Sequence, residues 1–260
     1  MKTIEILHIA TQYLTTAAKS FVPAKHDDSH TNLGWDQNDK QLFTHPFDKE
    51  GLQLAFDHIN YSIDLLHPSS GIEASYPLQG ARHLDVINWI DREARFCKLP
   101  NTYAFELHFE LPYKTAFKDT FIFPELNRAE VNEIIALRDI ADRSLTAIAA
   151  IHEHAEPVRT WPHHFDTATL IDLEGNGKRT IGCGLAVPDG MIDDFYFYVS
   201  GYLGDESVAL DESKTLSHGS WKSGEWNGGV LSGEDARDFN KVLAFLTEAS
   251  GTTQSRLRKM

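Results

Sequence analysis

Tyr103-Ala104-Phe105-Glu106-Leu107-His108-Phe109-Glu110-Leu111 places an apolar side chain at every second position. A period of two marks extended backbone with one dry face and one wet face. The stretch predicts a strand over 101–112. On its near side, Leu84, Ile87, Ile90, Ala94 and Cys97 recur at helical spacing and predict a helix near 80–97. On its far side a long helix is expected over 127–153, opened by Asn127 and Glu130 as a capping box. An N-terminal helix carries Ile4, Leu7, Thr11, Leu14, Ala18 and Phe21 on one stripe. A fourth helix is expected over 233–249, capped by Ser232 and Asp235 and stopped by Gly251, with 251–260 as a frayed tail.

Further strands are expected at 29–35, 41–45, 51–66, 158–173, 179–187, 194–203 and 226–231. Asp36-Gln37-Asn38-Asp39 and Gly175-Asn176-Gly177 supply turns for two hairpins. Runs of strands joined by short turns favour antiparallel pairing over βαβ crossovers. The expected class is α+β, a mostly antiparallel sheet with helices packed on it. The element order also recurs. His30-x-Asn32 matches His164-x-Asp166, Pro46 matches Pro188, and 78–82 matches 231–237. This suggests a pseudo-twofold repeat of an α-β-β-β-α unit, a single domain with similar halves at 1–112 and 125–250, bridged by the strand at 101–112.

The chain has 260 residues, 42% of them hydrophobic, which suffices for a real core. Its 24 basic and 38 acidic residues give a net charge of −14, which argues against nucleic acid or an anionic membrane as partner. No apolar run reaches the roughly 18 residues needed for a membrane span. Glu5, His8 and Gln12 interrupt the first apolar stretch and no cleavage site follows, so a cytoplasmic location is expected. Cys97 and Cys183 are isolated and read as reduced thiols. A homo-oligomer through an exposed edge strand is an open option that no residue requires.

Thirteen histidines justify a search for chemistry. His163-His164-Phe165-Asp166 follows Trp161-Pro162 at the start of an expected strand, where alternation would put His164 and Asp166 on one face. Such a pair can share a metal ion, or the carboxylate can orient the imidazole. It can equally be a hydrogen-bonded staple in a polar core. His30 and Asn32 fall in a similar cluster, which also reads as a solvated loop. His108 and Glu110 lie on the wet face of 103–111; with His164 and Asp166 they would suit zinc, iron or manganese, or acid–base work without metal. The tentative ligands of a divalent metal are His30, His108, His164 and Asp166, and the candidate catalytic groups are His164, Asp166 and Glu110. His218 to Gly229 is a glycine-rich loop whose Trp221 and Trp226, with Tyr198 and Trp161, offer flat apolar surfaces to a small molecule. No phosphate loop, dinucleotide fingerprint or serine-hydrolase elbow is present.

Asp27-Asp28-Ser29-His30-Thr31-Asn32-Leu33-Gly34-Trp35, Leu107-His108-Phe109-Glu110-Leu111-Pro112 and Trp161-Pro162-His163-His164-Phe165-Asp166 resemble landmarks of a family of uncharacterised bacterial proteins. The resemblance implies a bacterial cytosolic protein and carries no activity. Three readings follow from the residues. The first is a small-molecule enzyme, a metal-assisted hydrolase or isomerase. The second is a non-catalytic small-ligand-binding module with structural histidines. The third is a structural or interaction protein.

Overall fold

The computed structural model describes residues 1–111, 113, 117, 118, 120–209 and 215–260. The chain forms two compact units, one of residues 1–135 with 160–163, the other of 136–159 with 164–260. The fold is α+β, with four α-helices and two mostly antiparallel sheets among the described residues.

The first unit begins with helix α1, Thr3–Phe21, which is buried on almost every side. The expected single stripe understates this, because Thr11, Gln12, Thr15 and Thr16 are buried as well. Their hydroxyls fold back onto the helix: Thr15 donates to the Thr11 carbonyl at 3.1 Å and Thr16 to that of Gln12 at 2.8 Å. Polar residues so satisfied can enter a core at little cost. A meander follows, β1 Gly34–Asp36, β2 Gln41–Phe43, β3 Gln53–Asp57, β4 Ser62–His67 and β5 Gly71–Pro77, each strand paired with the next. α1 packs across β3. Leu42, Leu54, Phe56, Ile63 and Leu65 form the apolar side of this sheet. Helix α2, His83–Phe96, follows β5 and touches both β5 and α1.

Where 51–66 predicts one strand, the structure has a hairpin. Asp57 Oδ1 accepts the backbone N–H groups of Ile59 and Asn60 at 2.7 and 2.9 Å, and Tyr61 takes the left-handed conformation. An Asx turn in apolar company carries no glycine or proline to announce it. β5 was not expected at all.

The predicted strand at 101–112 is not one. Residues 103–111 do alternate in exposure, with the odd positions turned inward (residue 112 lies outside the described residues). Yet they pair with no strand among the described residues. Residues 103–106 run along α1 instead. Tyr103 Oη lies 2.9 Å from Thr16 Oγ1, the Ala104 N–H donates to Ser20 Oγ at 3.1 Å, and Lys19 donates to the Glu106 carbonyl at 3.0 Å. The Phe105 and Tyr13 ring centroids are 5.0 Å apart. A two-residue period dictates extended backbone with one buried face; it does not dictate what supplies the hydrogen bonds.

The second unit is a sheet in the order β11-β12-β9-β8-β7-β6, with β10 also paired to β9. The strands are β6 Arg159–Thr160, β7 Thr167–Asp172, β8 Arg179–Ala186, β9 Tyr196–Leu203, β10 Glu206–Ser207, β11 Ser220–Lys222 and β12 Gly228–Ser232. Helix α3, Arg128–Ala149, enters this unit at residue 136, and helix α4, Phe239–Leu257, ends it. Leu137, Ala141, Leu145 and Ile148 of α3 join Val242, Phe245, Leu246, Ala249 and Leu257 of α4 in one core with Ile181, Cys183, Phe197 and Val199. Asn127 does cap α3, accepting the Ala129 N–H at 3.0 Å while its own amide donates to Glu130.

The fourth helix departs from expectation at both ends. Gly233–Arg237 is a 3-10 turn, and α4 starts after Asp238, whose carboxylate accepts the N–H groups of Asn240 and Lys241. Gly251 does not stop it. The helix continues because Thr253 and Leu257 are fully buried, and a Cβ at Gly201 would come within 2.6 Å of the Thr253 methyl. Residues 251–257 are therefore not a tail. Leu257→Ala should lower the stability read by urea denaturation by about 2–5 kcal/mol, whereas an unchanged midpoint would mean that the last turns are dispensable.

Candidate functional site

His30-x-Asn32 and His164-x-Asp166, the expected repeat anchors, have different local structures. Ser29–Thr31 is one turn of 3-10 helix. In the other motif Phe165 sits at φ +63°, a strained conformation for an aromatic residue. His163 and His164 precede it in a turn and both are exposed, so the common strand face expected for His164 and Asp166 does not form.

In the first unit the histidines serve as hydrogen-bonding groups. His30 is buried and its Nδ1 accepts the Lys25 N–H at 3.2 Å. Asn32 Oδ1 lies 2.8 Å from His45 Nε2, which also faces the Ser29 carbonyl at 3.1 Å; two oxygen acceptors require the proton on that nitrogen. His8 Nε2 donates to the Pro162 carbonyl at 2.7 Å, His58 Nδ1 to that of Lys40 at 3.1 Å, and His83 Nδ1 is 2.8 Å from Tyr13 Oη. His108 Nε2 is 3.7 Å from Asp28, and Glu110 is exposed. Trp161 is half-buried, its ring edge-on to His163 at 6.1 Å. Among the described residues, no three His, Cys, Asp or Glu side chains are grouped so as to hold a metal ion, and the set His30, His108, His164 and Asp166 forms no such group.

In the second unit Asp166 does have a constructed environment. Tyr198 donates to Asp166 Oδ2 at 2.7 Å. It reaches that carboxylate by lying over Gly184, where a Cβ would meet its phenol at 2.6 Å. Trp226 stands edge-on to Tyr198 at 6.5 Å and over Gly228 in the same way. Trp221 points elsewhere: it packs against the helix-side core and is not part of this cluster. Arg138 of α3, 3% exposed, donates to Thr167 Oγ1 at 2.8 Å and stacks on the Phe165 ring at 4.2 Å. Burial pulls its pKa down to about 9, with Asp166 acting in the opposite sense. Burial likewise raises the Asp166 carboxyl, against the Tyr198 hydrogen bond and the charges of His164 and Arg138. The arrangement is a buried cation and a half-buried carboxylate that favour each other's charged form beside a strained residue.

An open cavity lies in the first unit, lined by residues for which the sequence suggests no site. It is a cleft of about 620 Å³ lined by Asp36, Asn38, Asp39, Gln41, Gln53, Asp57, Ile59, Asn60, Leu66, His67, Pro68, Gly71 and Ile72. Strand register explains the lining. Asp36 faces Gln41 and Gln41 faces Asp57, while Gln53 faces Leu66 and Leu66 faces Ile72. These rows lie on the sheet face away from Leu54 and Phe56, because alternate residues of β3 point to opposite sides. Asp57 is 4% exposed, and beyond its two backbone donors it accepts amide N–H from Asn60 at 2.7 Å and from Gln41 at 3.4 Å. Its neighbour Asp64, 1% exposed, accepts from Ser75 at 2.5 Å. Burial, with a further push from Asp57, raises the Asp64 carboxyl above its ordinary range. The alternation Gln53, Asp57 against Leu54, Phe56 was the signal available in sequence; the long strand expected over 51–66 hid it.

Searches against protein-family models, curated proteins and solved structures return no match for this chain.

Two expectations follow from these sites. Burial holds the His30 pKa below 6.5, with Asp27 and Asp28 opposing. The unfolded chain thus takes up a proton below that pH that the folded chain resists. Stability should be full above pH 6.5 and decline as pH falls below it, by at most about 1.4 kcal/mol per pH unit from this group. His30→Gln should flatten that slope in urea titrations across pH, and an unchanged slope would show that His30 does not generate it. Arg138→Met should cost about 1–3 kcal/mol by removing the donor to Thr167 and one of the charges that act on Asp166. Adding Asp166→Asn should recover part of that loss, and simple additivity of the two would contradict the coupling.

Proposed function

We propose that the chain is a small-ligand-binding module whose ligand lies in the cleft across β1–β5. The observation that carries the reading is the cleft itself. Its volume falls in the range of small-molecule sites, roughly 300–1,000 Å³. It combines convergent amides and carboxylates with apolar surface, and Ile59 and Ile72 stand 52% and 55% exposed along it. Half-exposed isoleucines beside oriented polar groups leave a surface that a ligand can dehydrate.

The histidine geometry supports the binding reading over the catalytic one. A general base needs an imidazole nitrogen available to substrate. His8, His30, His45 and His58 each hold a backbone group through one ring nitrogen, and none of the four lines the cleft. His164, Asp166 and Glu110, the candidate catalytic groups, share no strand face. Asp166 is committed to Tyr198, and the Tyr198–Trp226 pair seats that carboxylate.

Methyl-detected NMR on isoleucine-labelled protein tests the reading. Members of a polar fragment library should shift the Ile59 and Ile72 methyls together and saturably, leaving distant isoleucines such as Ile148 unmoved. A library that moves neither methyl, or moves all isoleucines alike, would overturn it.

A further inference from the structure

The sequence holds two Asn-Gly pairs, Asn176-Gly177 and Asn227-Gly228. Such a pair carries its own electrophile and nucleophile, the side-chain amide carbon of asparagine and the backbone nitrogen of glycine. With no Cβ on the glycine, nothing on that residue hinders the approach of one to the other. The two pairs stand in different places. Gly228 opens strand β12, where it is buried and paired with Lys222 of β11. Turning Asn227 onto its nitrogen would break that pairing. Asn176 and Gly177 are both exposed, in the turn that joins β7 to β8. Gly175 and Gly177 flank Asn176 in the left-handed conformation, at φ +69° and +72°.

Hydrogen bonds tie down every reacting group in that turn. The Gly177 N–H donates to Asp172 Oδ2 at 2.6 Å. Asn176 Oδ1 accepts the Lys178 N–H at 3.0 Å, and its amide donates to Glu174 Oε2 at 3.2 Å. Attack requires the Gly177 nitrogen to give up its proton, and a carboxylate bonded to that proton opposes the amide anion by charge repulsion. Attack also requires the Asn176 side chain to leave both of its partners.

We propose that Asn176 is a site of spontaneous deamidation, restrained in the closed hairpin by Asp172 and released when the turn opens. The chemistry needs only water. The Gly177 nitrogen, its proton given to solvent, attacks the side-chain carbonyl carbon of Asn176. A new C–N bond closes a succinimide as the Cγ–Nδ2 bond breaks, and ammonia leaves with a proton taken from solvent. Water then opens the ring at either carbonyl, leaving aspartate or isoaspartate at 176. No atom is oxidised or reduced. Either product puts a carboxylate where an amide donates to Glu174, and isoaspartate adds a methylene to the main chain of the turn. The modified turn closes less readily than the parent, so local opening of the hairpin is written into the chain as a covalent mark.

Ageing the protein at mildly alkaline pH, with peptide mapping by mass spectrometry over time, tests the inference. In the folded chain Asn176 should convert about tenfold more slowly than in the same chain held in urea, the protection expected of a hydrogen bond to a charged group. It should nonetheless convert ahead of Asn227 in the folded chain. Asp172→Ser keeps a turn acceptor and removes the charge; with its fold checked by circular dichroism, it should raise the native rate at Asn176 several-fold. Three results would overturn the inference: equal rates at Asn176 in the folded chain and in urea, conversion of Asn227 ahead of Asn176, or a folded Asp172→Ser chain whose Asn176 converts no faster than the parent's. The first two comparisons use the unaltered chain and decide the matter even where the variant fails to fold.

Discussion

Asp57 holds the first unit's sheet in the form that makes a cleft. Its carboxylate gathers two backbone N–H groups of the β3–β4 turn and two side-chain amides, one of them across the strand from β2. Those bonds end β3, begin β4 and bring Gln41 and Asn60 to the same end of the groove. An apolar residue at 57 would close no Asx turn, and the sheet face opposite α1 would lose the polar floor that distinguishes it from a second core. The stability of the turn and the chemistry of the cleft therefore depend on the same side chain.

Much of the fold was legible because hydrophobic period survives folding. The helices near 3–21, 83–96 and 128–149 and the strands near 167–172, 179–186 and 196–203 follow from it. What failed, failed where a local signal has more than one physical outcome. At 103–106 the alternation is satisfied by lying along α1, with Ser20 and Thr16 replacing a neighbouring strand as hydrogen-bond partners. Gly251 is tolerated inside α4 because the burial of Thr253 and Leu257 outweighs the roughly 1 kcal/mol helix penalty of one glycine. The turn at His67-Pro68-Ser69-Ser70-Gly71 carried a conventional signal, and reading it would have given β5 and with it the far wall of the cleft.

The histidines mislead for a related reason. Abundance and proximity to acids suggest a shared centre, but a histidine buried near carbonyl groups lowers its energy by donating or accepting locally. His45 does so with Asn32 and Ser29, and His8 with Pro162. Phe165 shows the limit of strand-face arguments: one left-handed residue between His164 and Asp166 reverses the alternation on which their pairing was based. Of the residues singled out from sequence, Asp166, Tyr198 and Trp226 do come together, while the cleft is built from side chains whose only sequence signal was a polar alternation opposite a core-facing row.

Central to the account is a small molecule lying in the cleft on the sheet face away from Leu54 and Phe56. A crystal structure of the protein soaked with the fragments that shift the Ile59 and Ile72 methyls tests this most directly. The account predicts fragment density in the groove, with polar atoms within hydrogen-bonding distance of Gln41, Gln53 or Asn60 and carbons against Ile59 and Ile72. A groove that holds only water, with the fragments seated elsewhere, would contradict it.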